Sequence, residues 1–471
     1  MSDQSLTALL LAASEAEARG APREAAALYE QAVMAAPTEP SVLRLLANAR
    51  RLAGDTLGAR EALRRAIPLS GRASAADRFE LARALVDAGD GASAVPLFAR
   101  IASERPADAS THAALAAALR DAGRLDAARA AVERALALVP TMPAAVLTRG
   151  QIRLASGDLD GALADFEYAL VLRPGHAPTR ASRGHVRLLL GEYERGWADY
   201  EARVLPVSTT GARDWFGEPL DGASILLMAE QGFGDQMQFL RFVPDVVARG
   251  AGRVVVEAHA SVVSLLRANG YEAVARGEAP VTDWAVPLLS IPHRLGLGAV
   301  VGGERVPYLQ ATPAPLPVLP APDGRPRVGV VWSGNAEFLR NAERSLDDEQ
   351  ARALVSGGDV QWIALQQGTA ARALEGYVAT AGPLADWETT ARVLTSLDLL
   401  VTTCTGIAHL AGAMGVRTWV LLHHVPDWRW QRRGDASSWY PTVRLFRQPA
   451  PGDWESVIAA VHAALRERTG R

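Results

Sequence analysis

A glycine recurs at Gly20, Gly54, Gly89, Gly123, Gly157 and Gly191, a spacing of about 34 residues with one slip of a single position. No other feature of the sequence narrows the possible folds as much. Five residues after each glycine stands a small residue: Ala25, Ala59, Ala94, Ala128, Ala162 and Gly196. Nine after each stands a larger apolar or aromatic one: Tyr29, Leu63, Phe98, Val132, Phe166 and Tyr200. Pro37, Pro106, Pro140 and Pro174 close four of the units, and Gly71 takes that place in the second. Each unit therefore reads as helix, glycine turn, helix, bounded turn, with the small residue letting two helix backbones approach. A single pair cannot bury its apolar face, so neighbours must stack into a solenoid. Chance periodicity in an alanine-rich sequence does not yield six matched units.

The period is that of the tetratricopeptide repeat, and it predicts an α-helical solenoid of about six helix pairs over residues 1–204. Solenoids of this kind present a concave groove to protein segments, so recruitment of a protein client is the default expectation and self-association the alternative. Asp158-Leu159-Asp160 matches the DxD pattern of some metal-dependent glycosyltransferases. It falls in a repeat turn and is discounted.

At 471 residues the chain is long enough for roughly three folding units. Its formal net charge of −3 implies no broad attraction to nucleic acid or to an anionic membrane. All 49 basic residues are arginine. A GC-rich genome rather than a selected property is the plain reading of that bias, yet it means that charged contacts to phosphate must come from Arg, with backbone N–H groups as the neutral donors. Cys404 is the single cysteine, which excludes an intramolecular disulfide and a cysteine metal cluster and fits a reducing compartment. Met1-Ser2-Asp3-Gln4 lacks the basic start of a signal peptide, and no run is long and apolar enough to span a bilayer. The expectation is a cytoplasmic protein with no membrane span.

After about Val204 the alanine-rich helices give way to β-branched runs punctuated by Gly and Pro, the pattern of alternating strand and helix. Strands are expected at Ser224–Met228 and Arg253–Glu257, with an amphipathic helix over Gln236–Arg249 between them. Residues 205–311 read as a first α/β lobe and 312–327, with six prolines, as a stiff connector. Residues 328–471 read as a second lobe, with strands at Val328–Trp332, Gln361–Leu365, Leu397–Thr402 and Thr418–Leu422. Helices are expected over Asp347–Val355 and from about Ile407. Two such lobes place a ligand between them, at the carboxyl ends of the strands.

Three loops at those ends carry the candidate chemistry. The first is Ala229-Glu230-Gln231-Gly232-Phe233-Gly234-Asp235, between a strand and a helix. Its glycines permit close backbone approach to a ligand, although Met237 replaces the last glycine of a dinucleotide fingerprint. By spacing alone, Asp235 is a helix cap sooner than a proton acceptor. The second loop, Ser333-Gly334-Asn335, precedes Arg340 and Arg344-Ser345, guanidinium groups suited to phosphate or to surface ion pairs. The third, Thr402 to His409, runs through hydroxyl residues and Gly406 into a helix, whose free N–H groups favour an anion. A histidine placed like His409 is more often packed than ligating. Pro426 to Trp430 and Trp439-Tyr440-Pro441 gather aromatics for core packing or for stacking on a base or sugar.

Six segments then carry a resemblance: Glu230 to Asp235, Pro287 to Pro292, Val331 to Asn335, Ala408 to Ala413, Asp427 to Trp430 and Trp439 to Pro441. Together with the repeats, the chain resembles tetratricopeptide proteins fused to a GT-B glycosyltransferase domain of two Rossmann-like lobes, related to the heptosyltransferases. The resemblance implies an inverting, metal-independent transfer of a sugar from a nucleotide donor, with no cofactor. It reverses the preference at Asp235, which stands where those enzymes have their general base. It places the acceptor-side loop at Glu230, Gln231, Gly232, Gly234 and Ser290, and the donor on Ser333, Gly334, Asn335, Arg344, Thr405, Gly406, His409 and Trp428. The architecture is also similar to flagellin-modifying transferases, which implies a flagellin client and a CMP-linked nonulosonic (pseudaminic) acid. Cys404 replaces an aspartate of many relatives and the lysine near the second loop is absent, so a non-catalytic scaffold or adaptor stands as the alternative.

Overall fold

The computed structural model describes residues 3–72, 74–299, 303–313, 319–335 and 341–469. The chain forms two compact units, Met1–His176 and Ala177–Arg471.

The first unit is built from helix pairs. They are Asp3–Ala18 (α1) with Pro22–Ala35 (α2), Pro40–Leu52 (α3) with Thr56–Ala66 (α4), and Ala75–Asp87 (α5) with Gly91–Glu104 (α6). Ala109–Asp121 (α7) with Leu125–Leu138 (α8) and Pro143–Ala155 (α9) with Leu159–Leu172 (α10) follow. The recurrent glycine ends the first helix of each pair in the left-handed region, with φ from +72° at Gly20 to +87° at Gly54, where a Cβ would be strained. The small residue five positions on is wholly buried in every pair, and Tyr29, Leu63, Phe98, Val132 and Phe166 fill the space beside it. Asp158, from the discounted DxD, caps α10 by accepting from the Gly161 N–H at 2.9 Å. α3 meets α5, α5 meets α7 and α7 meets α9, which puts the odd-numbered helices on the inner side of the superhelix. There, Arg44, Asn48, Arg51, Glu80, Arg83 and Asp87 line a groove of about 320 Å³.

The second unit opens with one more helix pair, Ala177–Leu190 (α11) and Tyr193–Tyr200 (α12). The period places this sixth pair at the end of the repeat, whereas its packing places it with the α/β lobes.

The first lobe runs Arg213–Asp214 (β1), Ser224–Met228 (β2), Phe233–Phe239 (α13), Val243–Ala248 (α14), Arg253–Ala258 (β3), Ala260–Ala268 (α15), Glu272–Ala275 (β4), Trp284–Pro287 (β5) and Ile291–Arg294 (α16). Its sheet is parallel, in the order β1-β5-β2-β3-β4. The helix expected over Gln236–Arg249 is broken into α13, a 3₁₀ turn at Leu240–Phe242, and α14. Pro244, which lacks an N–H, sits in the first turn of α14 and starts that helix afresh.

The second lobe runs Arg327–Val331 (β6), Asn341–Arg344 (α17), Asp348–Val355 (α18), Gln361–Ala364 (β7), Ala379–Thr380 (β8), Trp387–Leu394 (α19), Leu399–Thr403 (β9), Gly406–Ala413 (α20), Thr418–Leu422 (β10), Val443–Arg447 (β11) and Trp454–Thr469 (α21). Its sheet is also parallel, in the order β11-β10-β9-β6-β7-β8. β2, β9 and β10 are buried almost throughout, as strands covered on both faces must be, which is why they read as continuous apolar runs. Residues 314–318 of the proline-rich connector lie outside the described residues. No helix among the described residues is long and apolar enough to cross a membrane.

Candidate functional site

In a parallel sheet the loops after the strands gather along one edge. The loops after β6 and β9 do so in the second sheet and the loop after β2 does so in the first, and the two edges meet where α13 packs against α20 across the lobes. Glycine makes that approach possible. A Cβ on Gly234 would lie 2.6 Å from Cδ2 of His409 and 3.3 Å from Cα of Gly406, and one on Gly406 would lie 2.9 Å from the Trp387 ring. The first and third loops therefore touch through main chain.

Asp235 stands at the third position of α13. Its Oδ2 accepts from the Gly232 N–H at 2.7 Å, and its Oδ1 lies 2.5 Å from Nη2 of Arg429. Both the cap reading and the charged environment are realised in one side chain. Burial pushes the Asp235 carboxyl above its ordinary pKa, and Arg429 and the Gly232 N–H oppose that rise. Arg429, itself buried, also donates to Gln238 Oε1 at 2.8 Å and to Asp427 Oδ1 at 2.8 Å. For Asp427, burial works against ionisation but Arg429 wins and holds its pKa at about 2. Arg429 thus ties Asp235 of the first lobe to Asp427 of the second.

The rest of the first loop is anchored by the sixth helix pair. Glu230 is buried and accepts two parallel hydrogen bonds from Arg203, at 2.9 and 2.7 Å, plus one from the Leu289 N–H at 3.0 Å. Gln231 takes a positive φ of 54° and donates to the Tyr200 hydroxyl at 3.0 Å. Ser290, wholly buried, accepts from Arg203 at 2.9 Å. Glu230 and Ser290 therefore support the loop from behind; neither offers a free polar atom to an acceptor.

The second loop meets the third through Arg344, whose Nη1 donates to the Cys404 carbonyl at 3.1 Å and whose Nε donates to Asn341 Oδ1 at 3.3 Å. A Cβ on Gly334 would fall 2.5 Å from Nη2 of Arg344. The Ser333 N–H is held by Gln366 Oε1 at 3.0 Å, and Asn335 is exposed. Thr405 caps α20 with extended backbone, and its hydroxyl lies 3.2 Å from that of Thr402. Arg344, Ser333, Gly334, Thr405 and Gly406 are brought together; Arg340 lies outside the described residues.

Two donor-side roles that the resemblance implies are corrected. Trp428 is fully buried, ringed by Trp197 at 5.2 Å, Trp439 at 6.1 Å, Tyr200 at 6.2 Å and Phe239 at 6.4 Å, so no face is open to a base or sugar. His409 is packed rather than ligating: it stacks on Trp430 at 5.0 Å and its Nδ1 pairs with the Tyr440 hydroxyl at 3.0 Å. Burial first, and then Arg429, hold the imidazole down to about 3, so it carries no charge toward a phosphate near neutral pH. Cys404 is buried as well, its thiol accepting from Trp430 Nε1 at 2.9 Å and pushed up to about 11 by that burial.

Arg203 and Tyr200 look like ordinary repeat residues in the sequence and Gln366 carries no motif, so no sequence signal marks their part in the site. Arg429 lies in the segment Pro426 to Trp430, where its aromatic neighbours are the stronger signal.

With this geometry in place, the class of the first part is clear: residues 79–143 and 114–177 match the tetratricopeptide repeat family. Among curated proteins the chain is similar to Protein FlbA of Caulobacter vibrioides, at 25% identity over 292 residues, 54% of this chain and 48% of FlbA. The chain thus spans about half the length of that curated relative. Among solved structures it is similar to a MamA fragment from Desulfovibrio magneticus RS-1, at 19% identity and a TM-score of 0.31, covering 37% of this chain and 98% of that one. It is also similar to a thermophilic tetratricopeptide protein of Thermus thermophilus, at 24% identity and a TM-score of 0.29, covering 39% and 99%.

Proposed function

We propose that the second unit is a GT-B glycosyltransferase that moves a sugar from a nucleotide donor to a Ser or Thr hydroxyl of a protein client, and that the repeats recruit the client in the cytoplasm. The observation that carries this reading is the meeting of three strand-end loops from two parallel sheets, with glycines at the points of closest approach. Asp235 takes the proton of the acceptor hydroxyl. The hydroxyl oxygen attacks the anomeric carbon with inversion, and the nucleotide leaves with the bonding pair. Arg344, Ser333, Thr405 and the first N–H groups of α20 hold the departing phosphate. Flagellin is the first client to test and a CMP-linked nonulosonic acid the first donor, as the sequence resemblance implies.

Thermal shift with CMP-, UDP-, GDP- and ADP-compounds tests the donor site. A nucleotide at 100 times its dissociation constant adds about 2.7 kcal/mol of stability. Silence from every nucleotide would favour the second reading, a tetratricopeptide scaffold whose α/β lobes have lost turnover. That reading has its own support in the neutral, packed His409 and in the engagement of both oxygens of Asp235.

A further inference from the structure

The junction between the sixth helix pair and the first loop holds more contacts than a linker needs. Arg203, just beyond α12, has a side chain only 7% exposed and spends all five of its N–H donors. Nε and one Nη2 hydrogen go to Glu230, at 2.9 and 2.7 Å, and the other Nη2 hydrogen goes to Ser290 at 2.9 Å. Nη1 donates to the Tyr200 carbonyl at 3.1 Å and to Glu201 at 2.9 Å. The same guanidinium lies 4.9 Å from the Tyr200 ring, whose hydroxyl meets the Gln231 side chain at 3.0 Å. Gln231 keeps its left-handed backbone only because its surroundings over-determine it. The next residue, Gly232, gives its N–H to Asp235. One arginine therefore fixes Glu230 directly and, through Tyr200, reaches the residue that aims Gly232 at Asp235.

We propose that Arg203 and Tyr200 are positioning residues for the loop Glu230–Asp235, so that the last helix pair of the repeat is a working part of the candidate site. The inference rests on the reading of Asp235 as the proton acceptor. The end of the repeat then has two duties: it continues the solenoid in sequence, and it holds the loop on which the reaction depends. The smallest active unit begins with α11, and a chain that starts at residue 205 has its Gly-rich loop unaimed.

Hydrogen–deuterium exchange of the full-length protein, with no ligand added, tests this on peptides covering residues 229–236. Arg203→Met is expected to speed exchange there ~10-fold or more, with β3 and the first unit unchanged. Arg203→Lys is not expected to rescue the loop, since an ammonium cannot make two parallel bonds to Glu230. The pair Arg203→Met with Glu230→Gln removes the stray buried charge, and is expected to restore overall stability while the loop stays loose. Tyr200→Phe is expected to speed exchange at Gln231 and Gly232 alone. Where transfer is measurable, Arg203→Lys lowers kcat and leaves the KM for the nucleotide donor unchanged. Wild-type exchange of the loop in Arg203→Met and Tyr200→Phe, or faster exchange spread evenly over the second unit, would overturn the proposal. A failed transfer assay with a tightly held loop would instead sink the enzymatic reading and leave the tether standing.

Discussion

At the scale of single residues, the chemistry of the site is set by which charges share the buried Arg429. Asp235 and Asp427 share Arg429, so two carboxylates and one guanidinium are closed into one network across the lobes. Asp235→Asn keeps shape and the hydrogen bond to Gly232 but removes the proposed base. Transfer by that variant is expected to fall roughly 10²- to 10⁴-fold, read from the intact mass of the acceptor. His409 gives a separate pH signature. Its folded-state value of about 3 lies below the ordinary 6.5, so its contribution to stability is full above about pH 6.5 and is lost as the pH falls toward 3. Between pH 6.5 and 5 that loss is about 2 kcal/mol. His259 and His293, also held low by burial, act in the same direction. Urea titrations at several pH values are expected to show a shallower slope for His409→Asn; an unchanged slope would mean that the imidazole titrates freely.

At the scale of elements, two close approaches decide whether the site forms. A Cβ on Gly184 in α11 would fall 2.7 Å from the backbone N of Tyr200, against main chain that cannot step aside. Gly184→Ala is expected to cost about 1–3 kcal/mol in chemical denaturation, because it pushes α12 off α11. A Gly234→Ala change drives the first loop from α20 and is expected to weaken nucleotide binding as well as stability. Much of this layer was legible in the sequence. The 34-residue glycine period gave every helix pair because it is a steric rule repeated six times, and Ser224–Met228 and Thr418–Leu422 were placed to the residue because buried parallel strands are unbroken apolar runs. The loops were legible too, since glycines and hydroxyl residues between a strand and a helix mark main-chain exposure. The break of the helix at Pro244 was written in the sequence but outweighed there by the apolar pattern around it. Packing is the commoner use of residues like Trp428 and His409, and it holds here; the resemblance alone puts them on the donor, because packing and stacking use the same side chains and only the neighbours tell them apart. Arg203 left no local signal, since its partners Glu230 and Ser290 lie 27 and 87 residues away.

At the scale of the whole molecule, a repeat that presents a long inner surface precedes a unit whose loops converge on one place. The groove lined by Arg44, Asn48, Arg51, Glu80, Arg83 and Asp87 carries charges of both signs and an amide, a surface suited to a polar protein segment. Removal of residues 1–176 is expected to abolish client capture in a pull-down while leaving nucleotide-induced stabilisation of the second unit. Removal through residue 204 is expected to lose both, because α11 and α12 go with it. The claim on which the rest depends is that the three loops catalyse transfer to a protein. The direct measurement is the intact mass of flagellin, and of other abundant client candidates, from cells with the wild-type chain, without it, and with Asp235→Asn. The expected result is a discrete mass increment on a client, present with the wild-type chain alone. Identical client masses in all three strains, or a full increment with Asp235→Asn, would contradict the account.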